Sequence, residues 1–219
     1  MELQGKRIAF LGDSITEGTG VDDKSNRYDN RLLKTCGLAE VFNYGIGGTR
    51  LAHQRCPSEK PRYDLCFAGR AYNIDKRADV IVVFGGTNDY GHGDAPFGTY
   101  ADETPATFCG AVRFLMKLLR TEYPTATVVF LAPARRDLDE GISPKRAGDP
   151  EAKPLIFYVD AIKRIAEDFD IPVLDLYREL GVDPNAAEER ERYARDGLHL
   201  TDAAHEILAQ KLKALLESI

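Results

Sequence analysis

Short apolar, β-branched runs recur along the chain at residues 7–11, 41–44, 80–84, 127–131 and 172–176. Runs of this length suit strands. Between them, apolar positions return every three or four residues, which predicts helices over 27–36, 64–72, 104–122, 154–168 and 201–217. In the last of these Ile207, Leu208, Lys211, Leu212 and Leu215 fall close to one face, so its apolar members can pack on a sheet. Strands apolar at nearly every position imply burial on both faces, and regular strand–helix alternation implies a parallel sheet with helices on either side. The predicted fold class is therefore α/β, with five strands.

Two stretches break the pattern. Residues 49–62 and 135–153 are polar and punctuated by Pro or Gly, and segments this long are either functional loops or passive surface insertions. No internal repeat, low-complexity tract or interdomain linker is evident, and 219 residues suffice for one core, so a single domain over 1–219 is expected.

Composition adds constraints. Hydrophobic residues at 43% and charged residues at 29% are those of a self-folding globular chain. A net charge of −6, with no Lys/Arg run, argues against nucleic acid as partner and favours a neutral or small substrate. Cys36, Cys56, Cys66 and Cys109 show neither CxxC pairing nor the dense spacing of a disulfide scaffold, so reduced thiols are expected and no zinc site. No stretch is long and apolar enough to span a bilayer. The opening MELQGKRIAF enters a strand at once, without the segments of a secretory signal, which points to a cytoplasmic location.

In open parallel sheets ligands sit beyond the carboxyl ends of the strands, and four chemically suggestive segments cluster there or just before the final helix. Gly12-Asp13-Ser14-Ile15-Thr16-Glu17-Gly18 sets a hydroxyl at the turn after the first strand. Asn43-Tyr44-Gly45-Ile46-Gly47-Gly48-Thr49 follows the second, where glycine lets backbone N–H groups approach a reacting atom. Gly85-Gly86-Thr87-Asn88-Asp89 ends the third and offers an amide donor. Asp196-Gly197-Leu198-His199 brings a carboxylate within a turn of an imidazole, the arrangement in which one ring nitrogen is held while the other takes a serine proton. Each segment taken alone also reads as a turn or cap.

In this order and combination the segments resemble the GDSL/SGNH hydrolase family, and the resemblance spans nearly the whole chain. Ile15 stands where the family name implies Leu. The resemblance implies a flavodoxin-like three-layer α/β/α fold and metal-independent, cofactor-free ester hydrolysis. It makes Ser14 the nucleophile, His199 the base and then the acid, and Asp196 its orienting carboxylate. The oxyanion donors would be the Ser14 and Gly48 N–H groups and the Asn88 amide. Short-chain acyl esters, with acetylated carbohydrates foremost, are the expected substrates. Lipid acyl hydrolysis, thioester hydrolysis and acyl transfer are alternatives within the family, and a non-catalytic carbohydrate-binding protein is one of a different class. Association into a homo-oligomer stays open.

The remaining histidines lie outside the segment that pairs Asp196 with His199. His205 falls on the final helix as a surface or packing residue, whereas His53 and His92 lie in predicted loops, His92 close enough to Asn88 to contact a ligand. Tyr90 and Arg50 follow the same segments and either line a pocket or serve structure.

Overall fold

The computed structural model describes all residues, Met1–Ile219. Five strands, β1 (Arg7–Gly12), β2 (Glu40–Gly45), β3 (Val80–Phe84), β4 (Thr127–Ala132) and β5 (Val173–Asp175), form one parallel sheet in the order β2-β1-β3-β4-β5. Ile8 pairs with Val41 on one side and Val80 on the other. The chain leaves β1 toward one edge and returns to β3 on the opposite side, so the connections after these two strands diverge and open a crevice above their carboxyl ends.

The period-two alternation of a strand sorts the core. Ala9, Leu11, Ile81, Val83, Val128 and Phe130 face one layer, where they meet α3 (Phe67–Ala71), α5 (Phe108–Glu122) and α6 (Leu155–Glu167). Ile8, Phe10, Val82, Phe84, Val129 and Leu131 face the other, against α2 (Tyr28–Thr35), α7 (Leu176–Glu179) and α9 (Asp202–Ser218). The three-layer α/β/α arrangement is the one expected. Only β1, β3 and β4 are buried nearly throughout. β2 lies at an edge and is half-buried along its length, a departure from the expectation of full burial.

Helices lie at all five places where the periodicity predicts them, four of them long and α3 only five residues, with two ends trimmed by local chemistry. α5 begins at Phe108 because the Thr107 hydroxyl caps it, accepting from the Gly110 N–H at 3.1 Å. Residues 61–64 form a 3-10 turn, and α3 starts only at Phe67. Four short helices have no counterpart in the sequence reading: α1 (Ser14–Glu17), α4 (Thr87–His92), α7 and α8 (Ala187–Tyr193).

His205 is fully buried, so a surface position is excluded and a packing role is what it has. Its ring stacks on Tyr28 at 5.7 Å, and its Nδ1 accepts the Tyr28 N–H at 3.2 Å. The Tyr28 hydroxyl shares a 2.9 Å hydrogen bond with Thr16, so α9 is coupled through α2 to α1. No helix is long and apolar enough to cross a membrane.

Candidate active site

Ser14 opens α1 directly after β1. The Asp13 carboxylate caps this single turn by accepting the Ile15 N–H at 3.0 Å, and Gly18, at φ 98°, closes it in the left-handed conformation that glycine takes without strain. The Ser14 N–H donates to no protein acceptor. After β2, Gly48 has φ 78°, and a Cβ there would lie 2.1 Å from the Tyr63 ring, so conformation and space both demand glycine. Its N–H is likewise unpartnered. After β3, Asn88 sits in the first turn of α4.

His199 precedes α9 in a tight turn built by Asp196. One carboxylate oxygen accepts the N–H groups of Leu198 at 2.9 Å and His199 at 2.7 Å, and the other lies 2.5 Å from His199 Nδ1. His199 Nε2 is 2.9 Å from Ser14 Oγ, across a sequence separation of 185 residues. Partial burial raises the Asp196 carboxyl, but the hydrogen bonds from the His199 ring and the two N–H groups outweigh it and hold the group below its ordinary value. Asp196 therefore stays ionised around neutral pH. This linear arrangement can move a proton from a hydroxyl to an imidazole whose far side is fixed by a carboxylate.

The Asn88 amide has a determined orientation. Arg50 Nη1 lies 3.0 Å from His92 Nδ1, and since a guanidinium only donates, Nδ1 accepts and the ring proton resides on Nε2. That Nε2–H donates to Asn88 Oδ1 at 3.1 Å. The amide nitrogen then donates one proton to the Thr49 carbonyl at 3.0 Å, leaving its second N–H for the cleft. Burial, followed by the charges of Arg50, Lys145 and Arg136, pulls His92 down to about 4 and keeps the ring neutral. His92 thus belongs to the last turn of α4, not to a loop.

Ser14, Gly48, Asn88 and His199 line one cleft of about 670 Å³, and Asp196 stands behind His199. Tyr90 borders the cleft but is buried, its hydroxyl donating to the Leu138 carbonyl at 2.6 Å. Arg50 is buried away from the cleft, paired with Asp64 at 2.9 Å. His53 is exposed and outside it. No group of three or more His, Cys, Asp or Glu side chains is arranged to hold a metal ion.

The profile of the GDSL-like Lipase/Acylhydrolase family matches residues 10–207, an interval that holds all five of these residues. The chain belongs to that family. Membership makes this GDSL hydrolase a serine hydrolase acting on ester bonds. Among solved structures, a protein from Lactobacillus plantarum is 33% identical, with 98% of each chain covered and a TM-score of 0.83. The lipase/acylhydrolase from Enterococcus faecalis is 20% identical over 97% of this chain and 94% of its own, with a TM-score of 0.60, and shares the fold. No curated protein matches in sequence.

Several supporting residues of the GDSL hydrolase have no role assigned to them from the sequence. Arg70, on α3, donates to the carbonyls of Tyr44 at 2.5 Å and Gly12 at 3.1 Å and to the Thr49 hydroxyl at 2.8 Å, so one guanidinium ties the ends of β1 and β2 to the Gly48 loop. Both oxygens of Asp89 accept N–H groups, from Leu51 at 3.0 Å and Ala52 at 2.9 Å. Glu17 accepts the Gly47 N–H at 2.8 Å from three residues beyond Ser14. Of these only Glu17 was within reach of sequence reasoning, since it lies one helical turn from the serine.

Proposed function

We propose that this hydrolase cleaves small, polar acyl esters, acetylated carbohydrates among them, through an acyl-enzyme on Ser14. As Ser14 Oγ bonds to the ester carbon, its proton passes to His199 Nε2 and the carbonyl electron pair moves onto oxygen. That oxyanion accepts from the Ser14 and Gly48 N–H groups and the second Asn88 N–H. Its collapse expels the alcohol, which takes the proton from His199. Water then repeats the attack, releasing the acid and restoring the serine.

The observation that carries this reading is the pair of contacts on His199, 2.9 Å to Ser14 Oγ and 2.5 Å to Asp196. Two backbone N–H groups at the cleft with no protein acceptor, those of Ser14 and Gly48, support it, because they are free to donate to an oxyanion. Small polar esters are favoured over long acyl chains because the apolar side chains lining the cleft, those of Tyr63, Tyr90, Leu138 and Leu198, are few among polar ones.

Ser14→Ala removes the attacking oxygen with little change in volume. It is expected to lower kcat on a short acyl ester by about 10³-fold or more while leaving the circular dichroism and melting curve in place. A fluorophosphonate probe is expected to label the wild type at Ser14. Near-wild-type turnover by the folded variant, or labelling elsewhere, would remove Ser14 from the mechanism.

A further inference from the structure

The two polar stretches that interrupt the strand–helix pattern both line the Ser14 cleft, and each brings basic residues to it. Residues 49–62 supply Lys60 and Arg62, and residues 135–153 supply Arg136 and Lys145. The acids on the cleft are already engaged. Glu17 is held by Arg62 at 2.7 Å and by the Gly47 N–H. Asp137 is shared between Arg136 at 3.9 Å and Arg190 at 3.7 Å. Lys60 has only the Tyr63 ring, 5.5 Å from its ammonium, and neither Lys60 nor Lys145 pairs with a carboxylate. Arg136, mostly buried, has a buried Nε that makes no hydrogen bond and meets Asp137 only at ion-pair distance.

This surplus of positive charge is local, because the chain as a whole carries −6. Burial is the main cause of the depressed His92, and the charges of Arg50, Lys145 and Arg136 add to it in the sense expected of such a surplus. A neutral ester would gain nothing from two ammonium groups without a carboxylate partner, whereas an anion in the cleft is attracted by both.

We infer that the substrate is a small ester bearing a carboxylate or phosphate, held between Lys60 and Lys145 while Ser14 attacks its acyl carbon. This rests on the Ser14 reading and revises the neutral substrate that net charge alone favours. A compact anion suits lysine, a point charge on a flexible stem, and fits a cleft closed by two polar segments.

The test compares matched acetyl esters: acetylated glucuronate against acetylated glucose, and acetylglycerol phosphate against acetylglycerol. At low ionic strength kcat/KM is expected to favour an anionic member by about tenfold, with the preference collapsing in about 0.5 M NaCl. The pair that shows it identifies the anion. Lys60→Glu and Lys145→Glu, singly and together, are expected to reduce the anionic-to-neutral ratio, the double variant to below one. Lys117→Glu, on an exposed face of α5 outside the cleft, makes the same change in net charge and is expected to keep the ratio. Equal rates within both pairs, or a preference that survives the double variant, would overturn the inference. Ser14→Ala run on all four esters separates the two ideas: turnover that persists there defeats the Ser14 reading, whatever the charge ranking.

Discussion

Arg50 decides which nitrogen of His92 carries the proton, and His92 in turn decides which end of the Asn88 amide faces the cleft. Without that relay the amide is free to turn, and in the proposed mechanism it would then present its oxygen to the developing oxyanion and repel it. Asn88→Ala is expected to lower kcat by about 10²–10³-fold with a smaller change in KM. His92→Ala is expected to lower kcat by about tenfold in the wild type and to add little in the Asn88→Ala background, because both act through one hydrogen bond. Additive losses in the double-mutant cycle would give His92 a separate role. Ser14, Gly48, Asn88, Asp196 and His199 stand out in sequence because each lies beside a strand end or helix start inside a short motif. The Arg50–His92–Asn88 relay does not. Its members are 38 to 42 residues apart for Arg50, and the tautomer that gives it meaning arises only when burial brings a guanidinium against an imidazole.

The strands and long helices are legible because period-two and 3.6-residue patterns need only a few repeats to emerge, as in α9. The short helices are not. α1 and α4 are one or two turns long; α1 is specified by its Asp13 cap, and α4 by the strand end it springs from through Gly86 in the left-handed conformation. The stretch 135–153 is harder still, since its order comes from polar anchors. Arg146 is buried, donating to the Asp89 carbonyl at 3.0 Å and the Tyr158 hydroxyl at 2.7 Å, while Ser143 donates to the Gly91 carbonyl at 2.6 Å. These bonds make the segment a fixed wall fastened to α4 and α6. Arg146→Ala strands buried acceptors and opens a cavity, and is expected to cost about 2–4 kcal/mol in urea denaturation. Below its transition the variant is expected to show a raised KM with a smaller change in kcat. Unchanged stability would show that the wall stands without its anchor.

Across the molecule, two pairs of buried groups oppose each other in their response to pH. Burial pushes Asp13 and Asp89 up to about 6, so the stability they contribute is present below about 4 and lost as pH rises through 6. Burial pulls His92 and His205 down to about 4, so the unfolded chain binds protons that the fold refuses, and stability rises with pH between about 4 and 6.5. The windows overlap and the shifts are similar in size. Unfolding free energy is therefore expected to change little between about pH 4.5 and 6. His205→Gln is expected to tilt the curve downward with rising pH, and Asp13→Asn upward, each by up to about 1.4 kcal/mol per pH unit, one unbalanced proton. Urea titrations at a series of pH values read this slope directly, and parallel curves for the three proteins would refute the balance. The contact between Ser14 and His199 has a different consequence, one of time. Because the partners are 185 residues apart, under the proposed mechanism a nascent chain carries its nucleophile long before its base, and Ser14 would be only an ordinary alcohol until the segment bearing Asp196 and His199 has left the ribosome and docked. On that mechanism reactivity would arrive only once the His199 segment has been made, and a chain that stops short of it would be chemically silent.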